Sequence, residues 1–240
     1  FPVRSPACWC LDPAWAWAAR PRCSAPGVVL NRVHIYRYER GLRPGLASTH
    51  RTLVTSHIAR RAPEVKYRAV IFDLWQTLVP WPVEGAKRMY DGLAAHFGAE
   101  PARFRMLWLR GRRDREIGPM EPHLQTLAAE LGSESDIAAA VTLRRDWTLE
   151  HLVPRPDAVP TLEELRRRGH LLGMISACSA EVPEVWEQTP FGDLFDSTVF
   201  SSSAGVTKPD PHIYEIACEE LGVEAEDCLF VGDGANDELP

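Results

Sequence analysis

The sequence predicts an α/β fold: a parallel sheet whose first strand is followed by an inserted helical segment. Three observations predict it. First, Ala69-Val70-Ile71-Phe72 is a continuous apolar run rather than an alternating one, as expected of a strand buried on both faces of a parallel sheet. Second, short runs of similar character recur at 170–175, 198–201 and 228–231, with helical patterns between them. Alternating strand and helix imply parallel strands joined by right-handed crossovers. Third, residues 84–152 show apolar residues at helical spacing and no strand pattern.

The chain has 240 residues, 45% of them hydrophobic. That suits one domain with an insertion or two small ones, with ample material for a core. No apolar run approaches the length of a membrane span. The formal charge of −6 hides an asymmetry: residues 1–68 hold twelve Lys or Arg and three acids, and residues 69–240 hold fifteen and thirty. The acidic part is a poor partner for nucleic acid or an anionic membrane. The six cysteines, Cys8, Cys10, Cys23, Cys178, Cys218 and Cys228, form no CxxC pair with zinc spacing, and Cys8-x-Cys10 is a weak metal signal. Scattered cysteines without a secretory signal fit a reducing, cytoplasmic setting.

Residues 1–66 look foreign to the rest of the chain. The segment is rich in Arg and Pro, holds Trp9, Trp15 and Trp17, and precedes the first methionine, Met89. A short strand is possible within 28–38. Three readings stand: translated sequence upstream of the natural start or otherwise non-native residues, which is favoured; an Arg-rich transit peptide; or a basic extension that binds something acidic. The segment is expected to be poorly ordered.

From residue 66 the elements follow in order. The strand 69–72 ends in Asp73, and Pro80-Trp81-Pro82 closes the turn after it. Helices are expected over 84–97, 103–117, 121–131 and 135–152. In the second, Phe104, Leu107 and Trp108 lie on one side and Arg110, Arg112, Arg113 and Arg115 on another. Such an arginine run reads first as a solvated face and second as a contact for an anionic substrate. A helix over 161–168 has Thr161 as its cap and Gly169 as its stop. The strand 170–175 leads to Ser176, and a helix follows over 181–188. After the strand 198–201, Val206-Thr-Lys-Pro-Asp-Pro211 makes a rigid turn before the helix 212–221. The strand 228–231 leads into Gly232-Asp233-Gly234-Ala235-Asn236-Asp237.

Each strand or rigid turn thus ends in a polar residue: Asp73, Ser176, Lys208, and the pair Asp233 and Asp237. In a parallel sheet these converge on the carboxyl edge, where open α/β sheets bind ligands. Asp73 can attack phosphorus or carbon to form a covalent ester. Asp73, Asp233 and Asp237 supply hard oxygen ligands suited to Mg²⁺. Ser176 can hydrogen-bond a phosphoryl oxygen, and Lys208 can neutralise the charge crowded there. Singly, each has a plainer reading: a helix-capping aspartate, a turn serine, a surface lysine, a loop aspartate.

The order D-x-x-x-T (Asp73 to Thr77), then Ser176, then Lys208-Pro209, then G-D-G-x-x-D (Gly232 to Asp237) resembles the haloacid dehalogenase (HAD) superfamily over about 67–240. The resemblance implies a Rossmann-like core of 67–79 and 156–240, and a helical cap of 80–155. It implies that Asp73 is the nucleophile and Lys208 the charge-balancing lysine, and that Thr77 and Ser176 bind the transferring group. Asp73, Asp233, Asp237 and the carbonyl of Trp75 are implied as Mg²⁺ ligands. The substrate implied is a small molecule; the sequence leaves its identity and the oligomeric state open.

Two departures from that pattern matter. Phosphatases of the superfamily usually carry a second Asp two residues after the nucleophile to protonate the leaving group, and here that residue is Trp75. General acid–base help is worth roughly 10²–10⁴-fold, so weak phosphatase activity is expected unless another group, such as one from the cap, supplies the proton. Haloacid dehalogenases also have an aromatic residue there and need no metal, but their fourth motif typically lacks the leading acid kept here as Asp233. A Mg²⁺-dependent phosphatase is therefore favoured over carbon–halogen hydrolysis. Phosphonate cleavage would need a Schiff-base lysine, for which Lys87 is the sole candidate in 80–155. A non-catalytic metal- or ligand-binding module is the reading from a different class. The second departure is at the end of the chain. The family continues past its fourth motif with a helix and usually a strand, so a truncated sheet and a less supported 233–237 loop are expected.

Overall fold

A computed structural model of the chain describes residues 67–234 together with the backbone of His34–Tyr36. Cys8, Cys10, Cys23, Asp237 and most of the basic segment lie outside the described residues. The strands are β1 (His34–Tyr36), β2 (Ala69–Asp73), β3 (Leu171–Ser176), β4 (Ser197–Phe200) and β5 (Cys228–Gly232). They form one sheet in the order β1-β5-β2-β3-β4. The contacts β5–β2, β2–β3 and β3–β4 are parallel, as the sequence pattern requires. β1 falls within the possible strand 28–38 and adds an antiparallel edge, pairing His34 with Gly232 and Tyr36 with Phe230.

β2 is continuous in apolar character because both of its faces are covered. Val70 and Phe72 join Leu172, Met174, Leu162 and Val185 in one cluster. Ala69 and Ile71 join Ile175, Ile213, Tyr214 and Leu221 in a second cluster on the other face. The helices that cover the faces are α6 (Ala158–Arg167) and α7 (Glu181–Val185) on the first, and α9 (Pro211–Leu221) on the second. The short helix α8 (Ser201–Ala204), which no sequence pattern foretold, leads out of β4. The chain runs β2, β3, β4 in one direction across the sheet and then returns to place β5 on the other side of β2. That reversal is a switch point, and it puts the ends of β2 and β5 side by side where ligands bind in such sheets.

Between β2 and α6 the helices α1 (Val83–His96), α2 (Pro101–Arg110), α3 (Arg112–Glu116), α4 (Met120–Leu131) and α5 (Ile137–His151) gather around their own apolar cluster. Phe104, Leu124 and Leu93 are at its centre, each no more than 1% exposed. The two strands of chain that enter and leave this segment are tied by the bond from Arg155 N to Leu78 O (2.9 Å). Among the described residues no helix is long and apolar enough to cross a membrane.

Three expectations change in detail. The helix expected over 103–117 is two helices, broken at Gly111, where a Cβ would lie 2.2 Å from His123 Cε1 on α4. The arginine run is not wholly solvated, because Arg115 at the end of α3 is buried. The helix near Thr161 starts earlier, at Ala158, and Thr161 is inside it. Pro160 is tolerated in its first turn because the N–H it lacks would have no intrahelical partner.

Gly85 fixes how α1 meets α5. Its carbonyl accepts from Trp147 Nε1 (2.9 Å), and the His151 ring stacked on Trp147 sits over its Cα. A Cβ at residue 85 would fall 2.3 Å from His151 Nε2. Gly85→Ala should therefore destabilise the fold by about 1–3 kcal/mol, the usual cost of overpacking. The double variant Gly85→Ala/His151→Ala should recover part of that in urea denaturation.

Candidate active site

The carboxyl ends of β2, β3 and β5 carry Asp73, Ser176 and Asp233, and the turn before α9 brings Lys208 to Asp73. Asp73, the last residue of β2, is 6% exposed. Its Oδ1 accepts from Lys208 Nζ at 2.5 Å. Its Oδ2 accepts from Thr77 Oγ1 at 3.2 Å. Thr77 can reach back because the turn after β2 is tight: Leu78 N and Val79 N both donate to Leu74 O, at 2.9 Å each. Gln76 stands in the left-handed region at φ 64° within that turn. Lys208 is itself 6% exposed, delivered by the turn before α9.

Burial raises the proton affinity of Asp73 above the ordinary carboxylate range, and the Lys208 ammonium works against that. The Asp233 carboxylate adds a smaller upward push, which places its charge close to Asp73. Two carboxylates beside a turn that carries the Trp75 carbonyl offer only hard oxygen donors. Mg²⁺ binds through one or two carboxylates and keeps several waters, so this donor set fits the ion. Among the described residues no group of three or more His, Cys, Asp or Glu forms a metal cluster.

Ser176, the last residue of β3, is fully buried. Its Oγ makes no hydrogen bond of normal geometry. Leaving a buried hydroxyl unpaired costs about 1–3 kcal/mol, and a ligand oxygen at the sheet edge would relieve it. The next residues form a loop held by Ser201 Oγ, which accepts from Cys178 N (2.9 Å) and donates to Cys178 O (3.1 Å). Complete burial pushes the Cys178 thiol up to about 12, so it stays neutral and is no nucleophile. Ser202 Oγ on α8 is a second buried hydroxyl, set beside the Cys178 thiol. Neither Ser201 nor Ser202 was legible as a site residue, since a Ser-Ser-Ser run reads as a plain turn.

The helical segment contributes charge over this edge. Arg144 on α5 forms a buried ion pair with Glu181 at the start of α7. Glu181 Oε1 also accepts from Ser179 Oγ (2.8 Å). Arg115 lays its guanidinium 3.9 Å from the Trp108 ring centroid, donates to Trp108 O at 2.6 Å and meets His123 Nε2 at 3.0 Å. Burial and the neighbouring Arg144 lower Arg115 to about 10, which leaves it charged at neutral pH. Glu116, next in the chain, accepts from Arg112 Nε (2.6 Å) and from Thr207 Oγ1 (3.4 Å). Trp75 packs edge-on against Trp81, centroids 5.3 Å apart. Lys87 is exposed and paired with Asp91 at 2.6 Å, so the structure does not bring it to Asp73.

His123 is lowered to about 4, chiefly by burial and then by Arg115. Unfolded, it would titrate near 6.5. The unfolded chain therefore binds the extra proton first, and stability is lost as pH falls from about 6.5 towards 4. Allowing for its partial exposure, the loss should be about 1–2 kcal/mol. Denaturation at pH 7 and pH 5 should show that slope, and His123→Gln, which can still accept from Arg115, should flatten it.

Comparison with known proteins bears on the family of the chain. The chain is 32% identical over 177 residues to a glyceraldehyde 3-phosphate phosphatase from Methanopyrus kandleri, covering 69% of this chain and 75% of that protein. It is 28% identical over 178 residues to an (S)-2-haloacid dehalogenase from Pseudomonas sp. (strain YL), covering 71% and 76%. A solved HAD family enzyme from Bacteroides thetaiotaomicron shares the fold, with a TM-score of 0.53 at 15% identity, covering 68% of this chain and 82% of that one. The profile described as haloacid dehalogenase-like hydrolase matches residues 67–240. By that match, this chain belongs to the haloacid dehalogenase-like hydrolase family.

Proposed function

We propose that the protein is a Mg²⁺-dependent phosphatase that acts on a small organic phosphate through an aspartyl-phosphate at Asp73. The observation that carries this reading is the buried Asp73–Lys208 pair with the charge of Asp233 close by. A carboxylate held by Lys208 on one oxygen and Thr77 on the other is fixed in place for attack. Lys208 balances the charge that builds up as a phosphate ester approaches a carboxylate. Ser176 Oγ, buried at the end of β3, has a donor to offer the transferring phosphoryl group. Asp73, Asp233 and the Trp75 carbonyl would hold Mg²⁺, with Asp237 completing the set. Bound there, the ion supplies charge neutralisation at the phosphoryl oxygens. The helical segment acts as a cap: it excludes water from the edge and presents its side chains to the substrate.

One observation favours a second reading. Trp75 puts an apolar ring, half-buried against Trp81, two residues after the nucleophile, and such a site suits a leaving group that needs no proton, such as halide. Assays with p-nitrophenyl phosphate and chloroacetate, each with Mg²⁺ and with EDTA, separate the two. Metal-dependent phosphate release supports the phosphatase. Chloride release that survives EDTA overturns it.

A further inference from the structure

An aspartyl nucleophile expels an alkoxide or phenoxide, and that oxygen needs a proton. Trp75 has none to give. Among the described residues, the other titratable groups gathered at this edge are Lys208, Asp233, Cys178, Glu181 and Glu116. Lys208 is bound to the nucleophile itself. Asp233 sits with Asp73 on the metal side. Cys178 holds its proton too tightly to cycle. Glu181 is locked in the buried pair with Arg144 and by Ser179.

Glu116 is held less firmly: Oε1 accepts from the exposed Arg112 (2.6 Å), and Oε2 has only a long contact. It ends α3, on the helical segment. Its Oε2 meets Thr207 Oγ1, and Thr207 directly precedes Lys208. Its charge is also felt at Cys178, two residues past Ser176. It therefore stands against the lysine turn, which in the phosphatase reading flanks an arriving phosphoryl group. At 3.4 Å the Thr207 contact is weak for an O–H···O bond, so Oε2 is open to a better partner. Its side chain is 14% exposed, shielded but within reach of water.

We infer that Glu116, delivered by α3 to the turn that carries Lys208, is the proton donor to the leaving group and the base for the following hydrolysis. This rests on the phosphatase reading. In the first step an Asp73 oxygen forms a bond to phosphorus. The ester P–O bond breaks, and its electron pair stays on the leaving oxygen, which takes the Glu116 proton. In the second, water attacks phosphorus and passes a proton to the Glu116 carboxylate. The P–O bond to Asp73 breaks, the carboxylate of Asp73 is restored, and phosphate leaves.

The test is the dependence of rate on the leaving group. Single-turnover release of phenol is measured for the full chain with Mg²⁺, using 2,4-dinitrophenyl, p-nitrophenyl and phenyl phosphate, for wild type, Glu116→Gln and Glu116→Asp. Dinitrophenolate leaves without a proton, whereas phenolate needs one. Glu116→Gln should slow phenyl phosphate by about 10²–10⁴-fold and leave 2,4-dinitrophenyl phosphate within about threefold, and Glu116→Asp should recover part of the loss. An equal fall across the series marks a merely structural residue and overturns the inference, as does no fall at all. A wild-type protein that releases phenol from none of the three overturns the phosphatase reading itself.

Discussion

Asp73→Asn is expected to abolish phosphate release, by about 10⁴-fold or more, while leaving the protein folded. Loss of a covalent nucleophile removes the whole pathway rather than one contribution to it. The substitution is nearly isosteric. The amide oxygen can still accept from Lys208, and the amide nitrogen can donate to Thr77 Oγ1, which now accepts bonds at the positions seen for the carboxylate. Burial already disfavours the Asp73 charge, so exchanging it for a neutral amide removes a desolvation cost. Lys208 loses the counter-charge at 2.5 Å, which costs stability. The two effects oppose each other, and thermal unfolding should shift by only a few degrees. Acid-quench trapping of phosphorylated protein from wild type, and none from Asp73→Asn, would place the covalent step on this residue. A variant that still turned over phosphate would remove Asp73 from the chemistry.

The core of the site was legible because its residues sit at points where local pattern is strongest. Asp73 follows an unbroken apolar run, Ser176 ends another, and Lys208 stands in a proline-bounded turn. Those patterns specify sheet edges, and the candidate site stands at that edge. The electrostatics contributed by the helical segment were not legible. Arg115 sits in a run with Arg110, Arg112 and Arg113, and nothing in composition says that this one is buried. What buries it is the break at Gly111, which lets α3 turn inward, and the ring of Trp108 beneath its guanidinium. Arg144 and Glu181 are separated by 37 residues and belong to elements joined only through the tertiary fold. Glu116 was missed for the same reason: its meaning comes from Thr207, 91 residues away.

The Arg144–Glu181 pair carries the second large effect. Both side chains are buried, 8% and 1% exposed, so neither charge is hydrated when its partner is removed. Glu181→Ala leaves a guanidinium under α5 that cannot deprotonate, with the charge of Arg115 already beside it and its own Nε without a partner. Breaking such a pair costs about 3–5 kcal/mol, far more than removing an exposed pair such as Lys87–Asp91. The double variant Arg144→Met/Glu181→Leu removes both charges and keeps the volume, and should be neutral or more stable by about 1–4 kcal/mol. Urea denaturation of the two single variants and the double variant closes the cycle and isolates the coupling. The pair also joins α5 of the helical segment to α7 of the sheet layer, directly after the Ser176 loop. Glu181→Ala should therefore loosen the cover over Asp73 as well as the fold, whereas the apolar double variant should keep the cover in place. If both variants lose activity equally while only one loses stability, the charges themselves, and not the closure they hold, are what the reaction needs.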